Sequence, residues 1–163
     1  MKRLQAHWGS HLPILIKAMQ ITNGDVVECG CGYFSTPCLH WMCMDSNRIL
    51  TTYEGDEWWC NMFSRFNNGK HLIQHITNWD SINFSIPIGL AFIDHQPDER
   101  RWKEVQRLLH VDLLVLHDAG GNDGIRCGYD KLKGLFNYTW ISRKEKPYTA
   151  VLSNKLNCRK LFS

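Results

Sequence analysis

Four polar side chains that could transfer protons follow two apolar segments of the sequence. Asp94 and His95 come directly after "GLAFI", and His117 and Asp118 come directly after "LLVL". Carboxylate and imidazole groups serve as general acids and bases near neutral pH, and an aspartate beside a histidine raises its basicity and fixes its tautomer. We therefore predict a reaction site that contains Asp94, His95 and Asp118. For His117 we expect a buried histidine with its hydrogen bonds satisfied.

A second set of residues, within "DVVECGCGYFST" (25–36), has the spacing of a nucleotide-binding loop. Gly30 and Gly32 follow a short apolar run, where glycines let the backbone turn sharply and let a ligand approach closely. A dinucleotide-binding loop would carry a third glycine at the position where this chain has Ser35. The carboxylate of Glu28 would also repel a pyrophosphate. The loop therefore favours a positively charged ligand that has no phosphate groups.

Alternating strand and helix patterns surround both sets of residues. This alternation implies a mostly parallel sheet whose right-handed crossovers place helices on both faces, and the last two β-runs have the spacing of a hairpin. We predict a doubly wound α/β fold with a mostly parallel, seven-stranded sheet, helices on both faces and a C-terminal β-hairpin. The predicted strands cover residues 26–29, 48–54, 71–76, 89–94, 111–118, 138–143 and 148–154.

Capping residues mark the predicted helix starts. Ser10, Thr36 and Asp56 each precede a helical pattern and carry a side chain that can accept a hydrogen bond from free backbone N–H groups. Pro37 suits a first helical position because its fixed φ is already helical and its missing N–H is not needed there. The segment 129–136 has the pattern of a further short helix.

Composition and charge are typical of a compact soluble domain. The 163 residues predict one domain over 1–163, with 44% hydrophobic and 21% charged residues. No apolar stretch is long enough to span a bilayer, and the start of the chain lacks the apolar core of a signal peptide, so we expect a cytoplasmic protein. The net charge of +3 comes from scattered basic residues, which does not indicate a nucleic-acid partner.

The cysteines indicate neither a disulfide framework nor a zinc site. Their number, seven, is odd, and the chain has no sign of export, whereas disulfide frameworks belong to short exported chains with an even count. Cys29 and Cys31 form a C-x-C pair rather than the repeated C-x-x-C of zinc sites. Small residues beside a tight turn explain this pair better.

The glycine loop and three later segments together resemble the class I S-adenosylmethionine-dependent methyltransferases. "VECGCGYFST" looks like their first motif, and "TTYEGD" is similar to their second, in which an acidic residue holds the ribose hydroxyls. "LAFIDH" and "DLLVLHD" look like the fourth and fifth strand segments that border the methyl-transfer site. The resemblance covers nearly the whole chain in the right order. It also fits the loop, because S-adenosylmethionine carries a sulfonium and an amino group and no phosphate.

The resemblance implies a set of cofactor-binding residues at four strand ends. Glu54 would hold the ribose, the segment after the third strand would contact adenine, and Asp94 would face the sulfonium side. Trp79 has a second interpretation, as a cover over the edge of the sheet. The expected cofactor contacts are Glu28, Gly30, Gly32, Tyr33, Ser35, Thr36, Glu54, Asn78, Trp79 and Asp94.

The family resemblance also raises a metal ion as an alternative to proton removal by His95. Some related O-methyltransferases hold magnesium with an aspartate after strand four and an Asp-Asn pair after strand five. Asp94 and Asp118 could supply the oxygen ligands that hard cations prefer, but Ala119 stands where the asparagine would be. We therefore favour a site without metal.

The acceptor is predicted to be a hydroxyl or amine of a small molecule or saccharide. The strand-four loop reads "DHQPDE", unlike the motif with which base amino-methyltransferases of this family grip an exocyclic nitrogen. The roof of the pocket would come from the N-terminal segment 1–23 with Trp8 and His11, from a loop at 119–128, or from a second subunit of a homo-oligomer. An NAD-type oxidoreductase and a noncatalytic module that binds an adenosyl ligand or acts as a scaffold remain as alternatives; Ser35 and Glu28 argue against the first.

Overall fold

A seven-stranded sheet forms the centre of the computed structural model, which describes residues 6–84 and 87–163. The strands are β1 (Asp25–Cys29), β2 (Leu50–Glu54), β3 (His71–His75), β4 (Ile88–Ile93), β5 (Leu113–Leu116), β6 (Tyr138–Ser142) and β7 (Thr149–Ser153). Their order is β3-β2-β1-β4-β5-β7-β6. The pairs from β3 to β5 are parallel, and β7 runs antiparallel to both of its neighbours. The predicted doubly wound fold and its C-terminal hairpin are confirmed.

Helices cover both faces of this sheet. The α1 face carries α1 (Leu12–Ile21), α2 (Ser35–Asp45) and α6 (Cys158–Phe162), whereas the α4 face carries α4 (Arg101–Arg107). Two further helices are α3 (Glu57–Phe63), which packs against β2 and β3, and α5 (Gly121–Arg126). Because both faces are covered, β2, β4 and β5 are buried at every residue.

Side chains along each strand alternate between the two faces, as the pleat requires. On β4, Leu90 and Phe92 pack on the α1 face, whereas Ala91 and Ile93 pack on the α4 face. The register pairs Phe92 with Val115 of β5, which also packs on the α1 face. The same alternation determines which face of the sheet is occupied by the residues that directly follow β4 and β5.

Two of the predicted capping residues have other partners. Helix α2 begins at Ser35 with Phe34 as its N-cap residue, so the prediction of Thr36 as the cap was wrong. The cap of α1 is His11 rather than Ser10. Ser10 Oγ instead contacts the carbonyl oxygen of Pro147 and His117 Nε2, and Thr36 Oγ1 donates a hydrogen bond to the Glu28 carboxylate. Asp56 is confirmed as a cap, because its carboxylate accepts hydrogen bonds from the backbone N–H groups of the next helix.

The region around α5 differs most from the predicted elements. The predicted helix 129–136 is reduced to a single 3-10 turn, Tyr129–Leu132. The predicted loop 119–128 contains α5, whose glycines are poor helix formers by propensity. A Cβ atom on Gly124 would lie 2.8 Å from the backbone carbonyl of Ala119. Close backbone packing therefore explains a glycine that sequence propensity interprets as a loop signal.

In the part of the chain that is described, every helix is too short or too polar to cross a membrane.

Candidate active site

A cavity of about 430 Å³ opens at the carboxyl ends of β1 and β4. Strand order reverses between these two strands, which is where ligands bind in sheets of this type. The glycine loop (30–35) forms one wall, and the ends of β2, β4 and β5 form the floor. The turn around Trp8, the start of α1 at His11, Pro147 and α5 form the opposite wall. We call this space the main cavity.

The two loop glycines have different reasons to be glycine. Gly30 has φ +99°, and a Cβ atom there would lie 2.6 Å from the Cα atom of His95. No larger residue fits at this position, because β1 and the end of β4 approach each other so closely. A Cβ atom on Gly32 would instead meet Ser35 Oγ at 2.9 Å, in the wall of the main cavity. Gly30 therefore makes the fold possible, whereas Gly32 leaves room at the cavity surface.

Glu54 joins the glycine loop to the end of β2. Its Oε2 accepts a hydrogen bond from Cys31 N at 2.6 Å, and its Oε1 accepts one from Asp56 N at 2.8 Å. Burial raises the pKa of this carboxyl, although these hydrogen bonds oppose the shift. The side chain lines the main cavity and also a second cavity beyond it. Its remaining lone pairs can accept hydrogen bonds from a ligand that spans both cavities.

Glu28 lies beneath the loop and does not line the main cavity. Its carboxylate accepts hydrogen bonds from Thr36 Oγ1 at 3.0 Å and from Thr52 Oγ1 at 2.8 Å. Thr36 Oγ1 in turn accepts a hydrogen bond from Gly32 N at 2.9 Å. Neither Glu28 nor Thr36 is among the residues that line the main cavity, so their direct contacts with a cofactor stay a prediction, and what the structure shows is that they hold the loop from beneath. Tyr33 and Ser35, the other two loop residues predicted to bind it, both line the main cavity.

The second cavity lies beside the end of β3. Glu54, Trp79 and Gln96 are among the residues that line it. The Trp79 ring is buried and stacks on His95 with ring centroids 3.9 Å apart, so it can present only part of its surface. Asn78 is exposed and caps the 3-10 turn Trp79–Ser81, because its side chain accepts a hydrogen bond from Asp80 N at 3.0 Å.

Asp94 and His95 point to opposite faces of the sheet. Asp94 continues the alternation of Phe92 and faces α1, whereas His95 continues that of Ile93 and faces α4. His95 Nε2 lies 3.1 Å from Glu104 Oε2, and the His95 side chain is fully buried. His95 is among the residues that line the main cavity, but its imidazole is enclosed by Trp79 and Glu104. The catalytic role of His95 therefore stays a prediction, and the placement favours another imidazole beside Asp94.

His117 takes the place beside Asp94 that was predicted for His95. His117 Nδ1 lies 3.2 Å from Asp94 Oδ1, because the two residues continue a register in which β4 and β5 lie side by side. Burial alone would raise the pKa of Asp94, but His117 and Arg101 outweigh it and hold this pKa well below its usual range. Burial alone would lower the pKa of His117, and Asp94 reverses that effect and raises it.

Arg101 joins the two predicted carboxylates. Its Nη1 lies 2.9 Å from Asp94 Oδ1 and 2.8 Å from Asp118 Oδ2, and its side chain is almost fully buried. A cation placed here neutralises two carboxylates that would otherwise repel each other. The guanidinium also occupies the space in which magnesium would bridge Asp94 and Asp118, so these two residues do not fit the family's magnesium site.

The tautomer of His117 follows from its contact with Ser10. Ser10 Oγ donates its one hydrogen to the carbonyl oxygen of Pro147 at 2.9 Å, so it can only accept from His117 Nε2, 3.0 Å away. The proton that this contact requires is on Nε2. The Nδ1 atom then faces the Asp94 carboxylate, and that contact is favourable only with a cation between the two atoms, such as a second proton.

Arg101, Ser10, His11 and His117 are the site residues that the sequence analysis did not select as functional. His117 could have been identified from the sequence, because side chains along a strand alternate between the two faces and this alternation places Asp94 and His117 on the same face. Arg101 enters from α4 and Ser10 from the N-terminal segment, and no local pattern connects either to the strand ends. His11 was expected as part of a roof, and it lies instead in the cavity wall at 2% exposure.

Comparisons with solved structures find the same fold in several proteins. The structure of cofactor-bound Rv0187 from MTB is 17% identical, with a TM-score of 0.64 over 94% of this chain and 83% of that chain. The O-methyltransferase from Bacillus cereus in complex with SAH is 14% identical, with a TM-score of 0.61 over 93% of this chain and 82% of that one. The 16S rRNA methylase ArmA is 12% identical, with a TM-score of 0.60 over 91% and 82%.

These likenesses establish the fold alone, because sequence identities this low do not allow an activity to be transferred to this chain. Searches with protein-family models and among curated proteins find no match.

Proposed function

Because the chain has the Rossmann-like fold of the class I S-adenosylmethionine-dependent methyltransferases, we propose that it binds S-adenosylmethionine and transfers the methyl group to an acceptor. The observation that carries this proposal is the pairing of the glycine loop with Glu54 at the reversal of strand order. Gly32 keeps the cavity wall free of a side chain, and Glu54 lines both cavities. An extended ligand with a hydroxyl-bearing middle fits this arrangement.

The residues of the cavity suit a cationic ligand with ribose hydroxyls. When bound, S-adenosylmethionine supplies a methyl group on a positively charged sulfur. Glu54 accepts hydrogen bonds from the ribose, and Gly32 and Ser35 leave the backbone close to the ligand. Glu28 keeps the loop in place through Thr36. In this proposal Trp79 and Gln96 border the adenine in the second cavity.

The acceptor in this proposal is a hydroxyl or amine of a small molecule or saccharide. Asp94 and His117 place a carboxylate and an imidazole side by side in the main cavity, where they can hold and orient such a group. Orientation is the main contribution an enzyme makes to an in-line displacement. His7, Trp8 and Pro147 line the same cavity, so the acceptor would be enclosed on the side of the N-terminal segment.

Calorimetry with S-adenosylmethionine, S-adenosylhomocysteine and NAD tests the cofactor. We expect binding of the first two and none of NAD, because Ser35 stands where a dinucleotide-binding loop has its third glycine. Binding of NAD alone would contradict the proposal and favour an oxidoreductase.

A panel of acceptors with radiolabelled S-adenosylmethionine tests the reaction. The panel contains saccharides, phenols, small amines and a structured RNA, because the 16S rRNA methylase ArmA has this fold. Transfer to a small hydroxyl or amine is the expected result. Transfer to the RNA alone would support methyl transfer but contradict the proposed class of acceptor. Cofactor binding without any transfer would favour a noncatalytic module.

A further inference from the structure

We propose that His11, Asp94 and His117 form a site for a divalent first-row transition-metal ion such as Zn²⁺. Each residue offers one ligand atom, and these atoms lie within 4.8 Å of one another. A catalytic zinc ion commonly has three protein ligands drawn from histidine and carboxylate groups and keeps another position open. The inference goes beyond methyl transfer, because it concerns an ion that the chain would bind with or without a cofactor.

His11 provides a buried imidazole that packs in the cavity wall and makes no hydrogen bond among the described residues. The ring is 2% exposed and packs against Phe92 and His117 with ring centroids 4.8 and 4.7 Å apart. Neither of its nitrogens has a hydrogen-bond partner among the described residues. Buried polar atoms nearly always have a partner, and an unmatched pair of nitrogens beside a carboxylate points to a ligand. A metal ion would satisfy one of them.

His117 is already oriented as a metal ligand would be. Its Nε2–H donates to Ser10 Oγ, which leaves Nδ1 directed at Asp94. Histidines that bind metals usually donate their other ring N–H to a nearby acceptor, which fixes the tautomer. Nδ1 and Asp94 Oδ1 lie 3.2 Å apart, close to the separation of about 3.4 Å between two ligand atoms of one tetrahedral zinc ion.

Asp94 has the outer partner that a ligating carboxylate needs. Arg101 Nη1 lies 2.9 Å from its Oδ1 and holds the group in position. Arg101 also fills the space between Asp94 and Asp118, so the proposed site lies on the α1 side and combines Asp94 with the two histidines instead of Asp118. Two imidazoles and one carboxylate suit zinc, iron, cobalt or nickel, whereas magnesium prefers oxygen ligands.

The three side chains must move closer together to hold an ion. Zinc lies about 2.0–2.2 Å from nitrogen and oxygen ligands, so two ligand atoms of a tetrahedral site lie about 3.4 Å apart. Atoms that are now as much as 4.8 Å apart would therefore approach each other by about 1.4 Å. All three residues line the main cavity, which leaves the open position of the ion accessible to a ligand there. A bound hydroxyl at that position would be polarised.

Cobalt titration tests the site directly, without cofactor or acceptor. The protein is treated with a chelator, returned to chelator-free buffer and titrated with Co²⁺ while the visible absorption is recorded. We expect bands of a nitrogen- and oxygen-ligated ion that saturate at one ion per chain and disappear when Zn²⁺ is added. Zn²⁺ should also raise the midpoint of thermal unfolding.

Four variants locate the ion. His11→Gln and Asp94→Asn should weaken binding by more than the roughly 10–100-fold that losing an outer partner costs, and Ser10→Ala should fall within that range. His7→Gln is the matched control, because His7 is an exposed histidine that lines the same cavity outside the cluster. It should bind Co²⁺ like the parent.

Asp94→Asn keeps the size of the side chain, so it tests the proposal even if His11→Gln does not fold. Failure of the parent to bind one Co²⁺ per chain would overturn the site. Equal binding by the parent and by Asp94→Asn would do the same. Neither result depends on methyl transfer, so the two proposals can fail separately.

Discussion

The imidazole of His117 and the carboxylate of Asp94 meet across neighbouring strand ends, with Nδ1 and Oδ1 3.2 Å apart. The contact exists because each residue is the first side chain after a buried strand that can face α1 into the main cavity. His95, adjacent to Asp94 in sequence, faces the other side of the sheet and packs against Trp79. Substitutions of His117 and of His95 should therefore have different effects.

His117→Gln should lower turnover about 100-fold, because a misplaced orienting group in the cavity costs roughly that much. His95→Gln should leave turnover near that of the parent and mainly lower the free energy of unfolding, because it replaces a buried ring held by Glu104. Turnover on an accepted substrate and thermal unfolding measure both effects. The reverse ranking of the two turnover rates would restore His95 as the group facing the acceptor.

Gly32→Val should fold and lose S-adenosylmethionine binding. Its new Cβ would lie in the wall of the main cavity, 2.9 Å from Ser35 Oγ, so we expect its methyl groups to occupy space that the ligand needs. Gly30→Ala should instead be destabilised by about 1–3 kcal/mol from backbone strain alone, because φ is +99° at that position. Calorimetry and thermal unfolding separate the two outcomes. Unchanged cofactor affinity in Gly32→Val would place the binding site elsewhere.

Glu54→Ala should weaken S-adenosylmethionine binding at least about tenfold. A hydrogen bond to a charged acceptor contributes roughly 1.5–3 kcal/mol, and tenfold corresponds to about 1.4 kcal/mol. Glu57→Ala is the control, because Glu57 is an exposed acid in the first turn of α3. Calorimetry measures both variants. Similar affinity in parent and Glu54→Ala would show that this carboxylate does not hold the ligand.

Arg101→Met should lower the free energy of unfolding by about 3–5 kcal/mol, because it leaves Asp94 and Asp118 without their shared cation in a buried site. Arg126→Met is the comparison. The Arg126 side chain is 56% exposed, so its loss should cost less than about 1 kcal/mol. Denaturant unfolding at neutral pH measures both values, and equal losses would mean that the buried pairing contributes little.

Glu28→Gln should change how stability depends on pH. Burial raises the pKa of Glu28 from 4.5 to about 7, so the folded protein holds a proton there that the unfolded chain releases. Stability from this group is fully present below pH 4.5 and is lost as the pH rises to about 7.

Over this interval the parent should therefore lose about 2–3 kcal/mol more than Glu28→Gln. Denaturant unfolding at mildly acidic and mildly alkaline pH measures the difference, with the exposed Glu57→Gln as control. Parallel pH profiles of parent and Glu28→Gln would contradict the raised pKa.

The sequence was sufficient for the fold because its signals are local and repeated. Apolar runs separated by helical patterns specify buried parallel strands, and the two glycines mark the turn that follows β1. The strand ends that carry Glu54, Asp94 and Asp118 could be found in the same way. The placement of Asp94 and His95 on opposite faces of the sheet could also have been predicted, because adjacent residues on a strand face opposite sides.

The roles of the polar side chains were decided only by tertiary structure. Ser10 and His117 are 107 positions apart, and a strong local cap signal gave way to a hydrogen bond that no pattern connects to it. Arg101 lies on the α4 face in the pattern of its own helix, yet it neutralises carboxylates from two strands. Burial determines these partners, because a desolvated polar group is stable only when it bonds to a group that the fold brings close to it.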